Sequence, residues 1–160
     1  MNSDFSELLS SLNGCRARYL IVGGQAVIHY AEPRYTKDLD ILVEPSERNA
    51  RRVHRALQQF MGHLDAVGPD TLSKPGLLLK LGRAPVRIDI LTSIPGVRFE
   101  TAWRNRVVTR IGSVSVKLIA LRDLIRNKRA VGRPQDLVDL ESLRLAVKRQ
   151  RSQASTERPR

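Results

Sequence analysis

The segment Tyr19–Glu44, YLIVGGQAVIHYAEPRYTKDLDILVE, restricts the possible folds more than any other part of the chain. A β-rich run from Arg18 to Val22 ends in Gly23-Gly24, and a helix-like stretch from Gln25 to Ala31 follows, stopped before Pro33. Asp38-Leu39-Asp40 then leads straight into a second apolar strand, Leu39 to Glu44. Residues i and i+2 of a strand point to one face, so Asp38 and Asp40 stand side by side where the apolar run Ile41-Leu42-Val43 begins. Adjacent carboxylates repel, and one of them ordinarily takes up a proton. A divalent cation removes that conflict; hard oxygen ligands suit Mg²⁺, which completes its shell with water and substrate phosphate. Asp89 lies inside a third apolar run, Val86 to Thr92, where an unpaired charge is costly. If that strand neighbours the Leu39–Glu44 strand, Asp89 joins the same site. Three carboxylates holding two metals is an arrangement for in-line displacement at phosphorus. Gly23 and Gly24 let a phosphate approach the backbone at a helix N-terminus. Each piece alone has a plainer reading: a tight turn, a solvated start of a strand, an edge position, or a partner for Arg87 or Arg83.

The rest of the chain reads as alternating helices and strands. Phe5, Leu8, Leu9 and Leu12 predict an amphipathic helix over residues 4–13, stopped by Asn13-Gly14. Ser46 is a suitable N-cap for a helix to about Met61, with Ala50, Val53, Leu57 and Phe60 on one face and Arg48, Arg51, Arg52 and Arg55 on another. Gly62 to Pro75 reads as a loop. Leu77 to Leu81 and Val86 to Thr92 read as a hairpin. A short helix over 98–105, one or two strands around Gly112, and a helix from Leu121 to Asn127 follow. Pro134 opens a last helix with Leu137, Leu140, Leu143 and Val147 as its buried stripe. From Arg149 the chain offers no core-forming residue, so a disordered basic tail is expected over 149–160, after one domain over 1–148. The expected class is α+β: a short mixed sheet backed by helices, with a C-terminal helix pair.

Composition narrows the function. In 160 residues no apolar run approaches the ~20 that a membrane span needs. Asp4 and Glu7 stand where a secretion signal carries basic residues, and the single Cys15 allows no intrachain disulfide, so a reducing cytoplasm is expected. Aromatics at 4% argue against a base-stacking single-strand binder. The net charge of +12 is concentrated towards the C-terminus, which carries a net +10 over residues 98–160. Such a surface attracts polyanions, RNA among them, or is simply a well-solvated face. His29, His54 and His63 show no metal-ligand spacing.

Gly23-Gly24, then Asp38-x-Asp40, then Asp89 on a later strand resembles the signature of the nucleotidyltransferase superfamily. Its polymerase-β-like fold is shared with the aminoglycoside and minimal nucleotidyltransferases. Within it, VGGQAVIHYAEPRYTKDLDILV, with Arg34 and Thr36, resembles the opening of the AbiEii-type group. LRDLIRNKRAVGRPQDLVDLESL resembles that group's C-terminal helix–turn–helix, with Lys128, Arg133, Asp136 and Asp139. The resemblance implies transfer of a nucleoside monophosphate from an NTP to an acceptor hydroxyl of RNA (such as tRNA) or protein, with a protein partner if the chain belongs to a toxin–antitoxin pair. It implies Asp38, Asp40 and Asp89 as Mg²⁺ ligands at a two-metal site. Gly23, Gly24, Arg34 and Lys128 would lie against the triphosphate. Asp136 would be a supporting or proton-accepting residue; read from its position, it is a first-turn acid favoured by the helix dipole. Asp139 is expected to pair with Arg133 or a helix neighbour. The alternative is a catalytically silent member of the fold that binds RNA or a protein partner.

Overall fold

The computed structural model describes residues 3–83 and 86–156. Among them a mixed six-stranded sheet has the order β3-β4-β2-β1-β6-β5. Helix α1 (Ser3–Gly14) buries Phe5, Leu8, Leu9 and Leu12, the face expected from their spacing. Strand β1 (Tyr19–Val22) is buried throughout and passes without a loop into α2 (Gly23–Tyr30). Strand β2 (Asp38–Val43) runs antiparallel to β1, with Val22 opposite Asp40. Helix α3 (Glu47–Met61) is capped by the Ser46 side chain, which accepts from the Asn49 N–H, and packs against α1. Buried Asn49 fastens α3 to the sheet: it accepts from the Arg18 N–H and donates to the carbonyls of Arg18 and Glu44.

The segment expected to be all loop, Gly62 to Pro75, contains one short helix, α4 (Pro69–Leu72), which buries Leu72. Pro69 at its first position supplies the helical φ without needing an N–H partner. The expected hairpin is β3 (Leu78–Arg83) and β4 (Val86–Leu91), antiparallel with Lys80 opposite Asp89. Strand β4 lies parallel to β2, with Asp40 opposite Asp89 and Asp38 opposite Arg87. Helix α5 (Phe99–Asn105) precedes a second hairpin, β5 (Val107–Ile111) and β6 (Val114–Leu118), and β6 closes against β1 in parallel.

Helix α6 (Leu121–Val131) runs one turn further than the expected Leu121–Asn127, up to Gly132, which provides its left-handed cap. Helix α7 (Pro134–Thr156) packs against α6 and α2. Two features of α7 differ from expectation. Its buried side is Leu140, Leu143 and Ala146, whereas Leu137 is 57% exposed. The first two turns instead direct Asp136 and Asp139 inward, because both pair with the buried Lys128. The helix also continues past Arg149 to Thr156, through residues with good helical propensity such as Arg, Gln and Ala; the last four expected tail residues, 157–160, lie outside the described ones. No helix among the described residues is long and apolar enough to cross a membrane.

Candidate active site

The site is built on one face of β2 and β4. Residues paired in register on neighbouring strands share a face, and so do residues two apart along a strand. Asp38, Asp40, Arg87 and Asp89 therefore project together, while Leu39, Ile41, Ile88 and Ile90 of the other parity are buried in the core. The three aspartates line a cleft of about 610 Å³, with Gly23 and Gly24 at one side and the α6–α7 turn at another.

Burial pushes the Asp40 carboxyl up to about 6; the charges of Asp89 and Asp38 add to the rise, against the opposing effects of Lys128 and a hydrogen bond from the Gly24 N–H. Asp89 is buried, and its Oδ1 has no hydrogen-bond partner. Arg87 Nε lies 3.4 Å from that oxygen, within ion-pair range but not aligned to donate. The same guanidinium donates to Asp38 at 2.8 Å. Arg87 thus neutralises part of the carboxylate charge, confirming one of the plainer pairings open to Asp89. Among the described residues, no three His, Cys, Asp or Glu side chains stand ready as a metal cage. Asp40 and Asp89 nevertheless fit a hard cation well: one carboxylate is crowded by like charge, and the other carries an orphaned buried oxygen. Arg87 occupies Asp38 Oδ2, which leaves Oδ1 as the oxygen that Asp38 can offer a cation.

The two glycines have a structural reason beyond access for phosphate. Gly23 sits at φ +61°, and a Cβ there would run into the Asp40 carboxylate. A Cβ on Gly24 would lie 2.6 Å from Thr36 Oγ1 and 3.2 Å from Arg34 Nη2. The Gly-Gly pair, the Arg-x-Thr phrase and Asp40 are therefore three sides of one tight corner.

The cations expected at the triphosphate are present but committed. Lys128 is 5% exposed, and its ammonium lies 2.8 Å from Asp136 and 2.9 Å from Asp139. Arg34 donates from Nη2 to Asp139 Oδ2 at 3.0 Å, and its Nε lies in ion-pair range of Oδ1 at 2.9 Å. Asp139 also accepts from its helix neighbour Gln135, but Arg133 binds Asp136 rather than Asp139. Burial raises the carboxyls of Asp136 and Asp139, but hydrogen bonds outweigh it and hold both below their usual range; the donors are Arg133 and Lys128 for Asp136, and Lys128 and Gln135 for Asp139. The chain Arg34–Asp139–Lys128–Asp136–Arg133 ties the α2–β2 connection to both C-terminal helices. Arg133 alone of these reaches out, its side chain 71% exposed at the cleft edge.

Sequence reasoning assigned no site role to Lys80, which lines the cleft from β3, nor to Arg87 beyond pairing with Asp89. Both were traceable: Arg87 lies two residues before Asp89, and the hairpin register sets Lys80 opposite it.

Over residues 1–158 the sequence matches the family described as "Nucleotidyl transferase of unknown function (DUF2204)". The chain belongs to this family. A crystal structure of an antigenic nucleotidyltransferase-like protein from Paracoccidioides brasiliensis shares its fold, with a TM-score of 0.55 and 22% identity over 85% of this chain and 71% of that one. No curated protein matches the sequence. Membership is thus established at the level of nucleotidyl transferases, wider than the AbiEii-type group.

Proposed function

We propose that the protein is a metal-dependent transferase that moves a nucleoside monophosphate from an NTP to an acceptor hydroxyl. The observation that carries this reading is the in-register pairing of Asp40 with Asp89, Asp38 on the same face, opposite the cationic α6–α7 turn. Asp38, Asp40 and Asp89 would hold Mg²⁺, which supplies charge neutralisation at the α-phosphate and the leaving pyrophosphate. Gly23 and Gly24 keep the corner beside Asp40 open. Arg133 contacts the outer phosphates, with Arg34 behind it. Lys128, held in place by Asp136 and Asp139, presents positive charge next to Asp40. Asp136 is paired with two cations, which makes it a weak proton acceptor, and we assign it to anchoring them.

In the transfer the acceptor oxygen bonds to the α-phosphorus as the bond to the β-phosphate oxygen breaks. Pyrophosphate leaves, and the hydroxyl proton passes to Asp89 Oδ1, which accepts no hydrogen bond. The exposed cations of α6 and α7 favour RNA as the molecule bearing that hydroxyl. The test is incubation with each α-labelled NTP, Mg²⁺ and total cellular RNA or lysate. Label transferred by the wild type and not by Asp89→Asn supports the reading; equal transfer by both sinks it. No transfer to any acceptor favours a silent binding module.

A further inference from the structure

Helix α7 is apolar on two sides. One side, with Leu140, Leu143 and Ala146, is buried in the fold, where α7 packs against α6 and α2. On the other, Leu137, Val138 and Leu145 stand 57%, 57% and 54% exposed. A helix that is apolar on both sides ordinarily buries both, and no described residue covers the second side of α7.

At about 100° per residue this exposed side divides into two flanks. Val138 and Leu145, seven residues apart, lie along one. Leu137, Glu141 and Arg144, at i, i+4 and i+7, lie along the other. Among the described residues neither Glu141 nor Arg144 has an ion-pair partner. A groove of about 320 Å³ is bordered by Leu137, Val138, Leu140, Glu141 and Arg144, and Leu145 lies just beyond its Arg144 end.

We propose that this side of α7 is the interface of a homodimer, in which two copies of α7 pack antiparallel about a two-fold axis near residue 142. Such an axis sets each flank against the same flank of the second copy. The register can therefore be read from the two flanks separately. Val138 meets Leu145 of the second copy, and Leu145 meets Val138, when the axis passes between residues 141 and 142. Glu141 meets Arg144 of the second copy, and the reverse, when it passes between residues 142 and 143. One axis thus serves both flanks. It also brings Leu145 of the second copy over residues 138–140, at the groove that one chain leaves open. Four charges of alternating sign, Glu141 and Arg144 from each copy, then surround the axis. A parallel pair would set Glu141 against Glu141 and Arg144 against Arg144, so charge decides the direction. At about 150 mM salt the repulsion between two chains of charge +12 is screened beyond about 8 Å. The pairing does not depend on the reaction assigned to the cleft.

The test is sedimentation equilibrium of the full chain over a concentration series at about 150 mM salt. The wild type is expected to approach twice the 18.0 kDa of one chain. Leu145→Glu, a change at an exposed position, should give a monomer with the wild-type circular dichroism spectrum. Glu141→Arg and Arg144→Glu should each weaken dimerisation at least about tenfold. The double variant keeps the net charge and should recover to within about threefold of the wild type. A wild type that stays monomeric up to about 0.1 mM overturns the proposal; loss of RNA binding on Arg144→Glu would then give the face to RNA. A dimer that survives Leu145→Glu overturns it as well, and a double variant as weak as the single ones overturns the antiparallel register.

Discussion

At the residue scale, Asp40 is where folding and function conflict. Its folded value of about 6 lies above the ordinary 3.8, so the native state holds that proton more tightly than the unfolded chain. The resulting stabilisation is complete below about pH 4 and lost as pH rises through about 6. Asp40→Asn keeps the volume and removes the charge. The variant should match the wild type near pH 4 and exceed it near pH 7.5 by at most about 3 kcal/mol, read from urea unfolding at both values. The same stability gap at both pH values would show that the carboxyl is not shifted. Gly23 tests the corner from the other side. Gly23→Ala adds a Cβ against Asp40 at a backbone conformation costing a side-chain residue about 1–2 kcal/mol. It should abolish transfer while the circular dichroism spectrum stays native; full activity would mean that Asp40 need not stand where it does.

At the element scale, the α6–α7 pair is held by charge as much as by apolar packing. Lys128, Asp136 and Asp139 are all buried, and removing one partner of a buried pair typically costs about 3–5 kcal/mol, because the others are left uncompensated. Lys128→Met should therefore lower the unfolding midpoint as well as activity. A variant that unfolds like the wild type but fails to bind nucleotide would assign Lys128 to the ligand instead of the fold. The periodicity of α6 and α7 was readable from their leucines. The inward direction of Asp136 and Asp139 was not, because which side of a helix's opening turns is buried depends on the cations packed against it. Leu137 shows the cost of ignoring them: at apolar spacing with Leu140, it is nonetheless exposed.

At the scale of the whole molecule, the exposed charge of the two C-terminal helices is mainly cationic. Arg129, Arg144 and Lys148 are exposed on α6 and α7, the elements that wall the cleft, while Arg149 pairs with Glu32 and Arg126 with Asp123. If this surface carries RNA, log K should fall with log[salt] by about 0.7 per phosphate contacted, so about 3 for four contacts. Filter binding over a salt series measures the slope. Charge reversal at Arg129 and Arg144 should flatten it. A slope near zero, or no RNA binding, would leave the surface as a solvated face and move the acceptor to a protein or small molecule.

The sequence alone determined most of the elements and the pairing of Asp38 with Asp40 on one face, since both follow from local rules. A strand's two-residue period puts Asp38 and Asp40 on one face, and a charge inside an apolar run marks Asp89 as either paired or functional. Only the tertiary structure decided that β4 lies parallel to β2 with Asp40 opposite Asp89, because strand order and register depend on contacts between distant segments. It also decided that Gly23 leaves room for Asp40 and that Lys128 is enclosed by two carboxylates. Each of these depends on which side chains from separate elements come within a few ångströms of one another, and no spacing along a single chain encodes that.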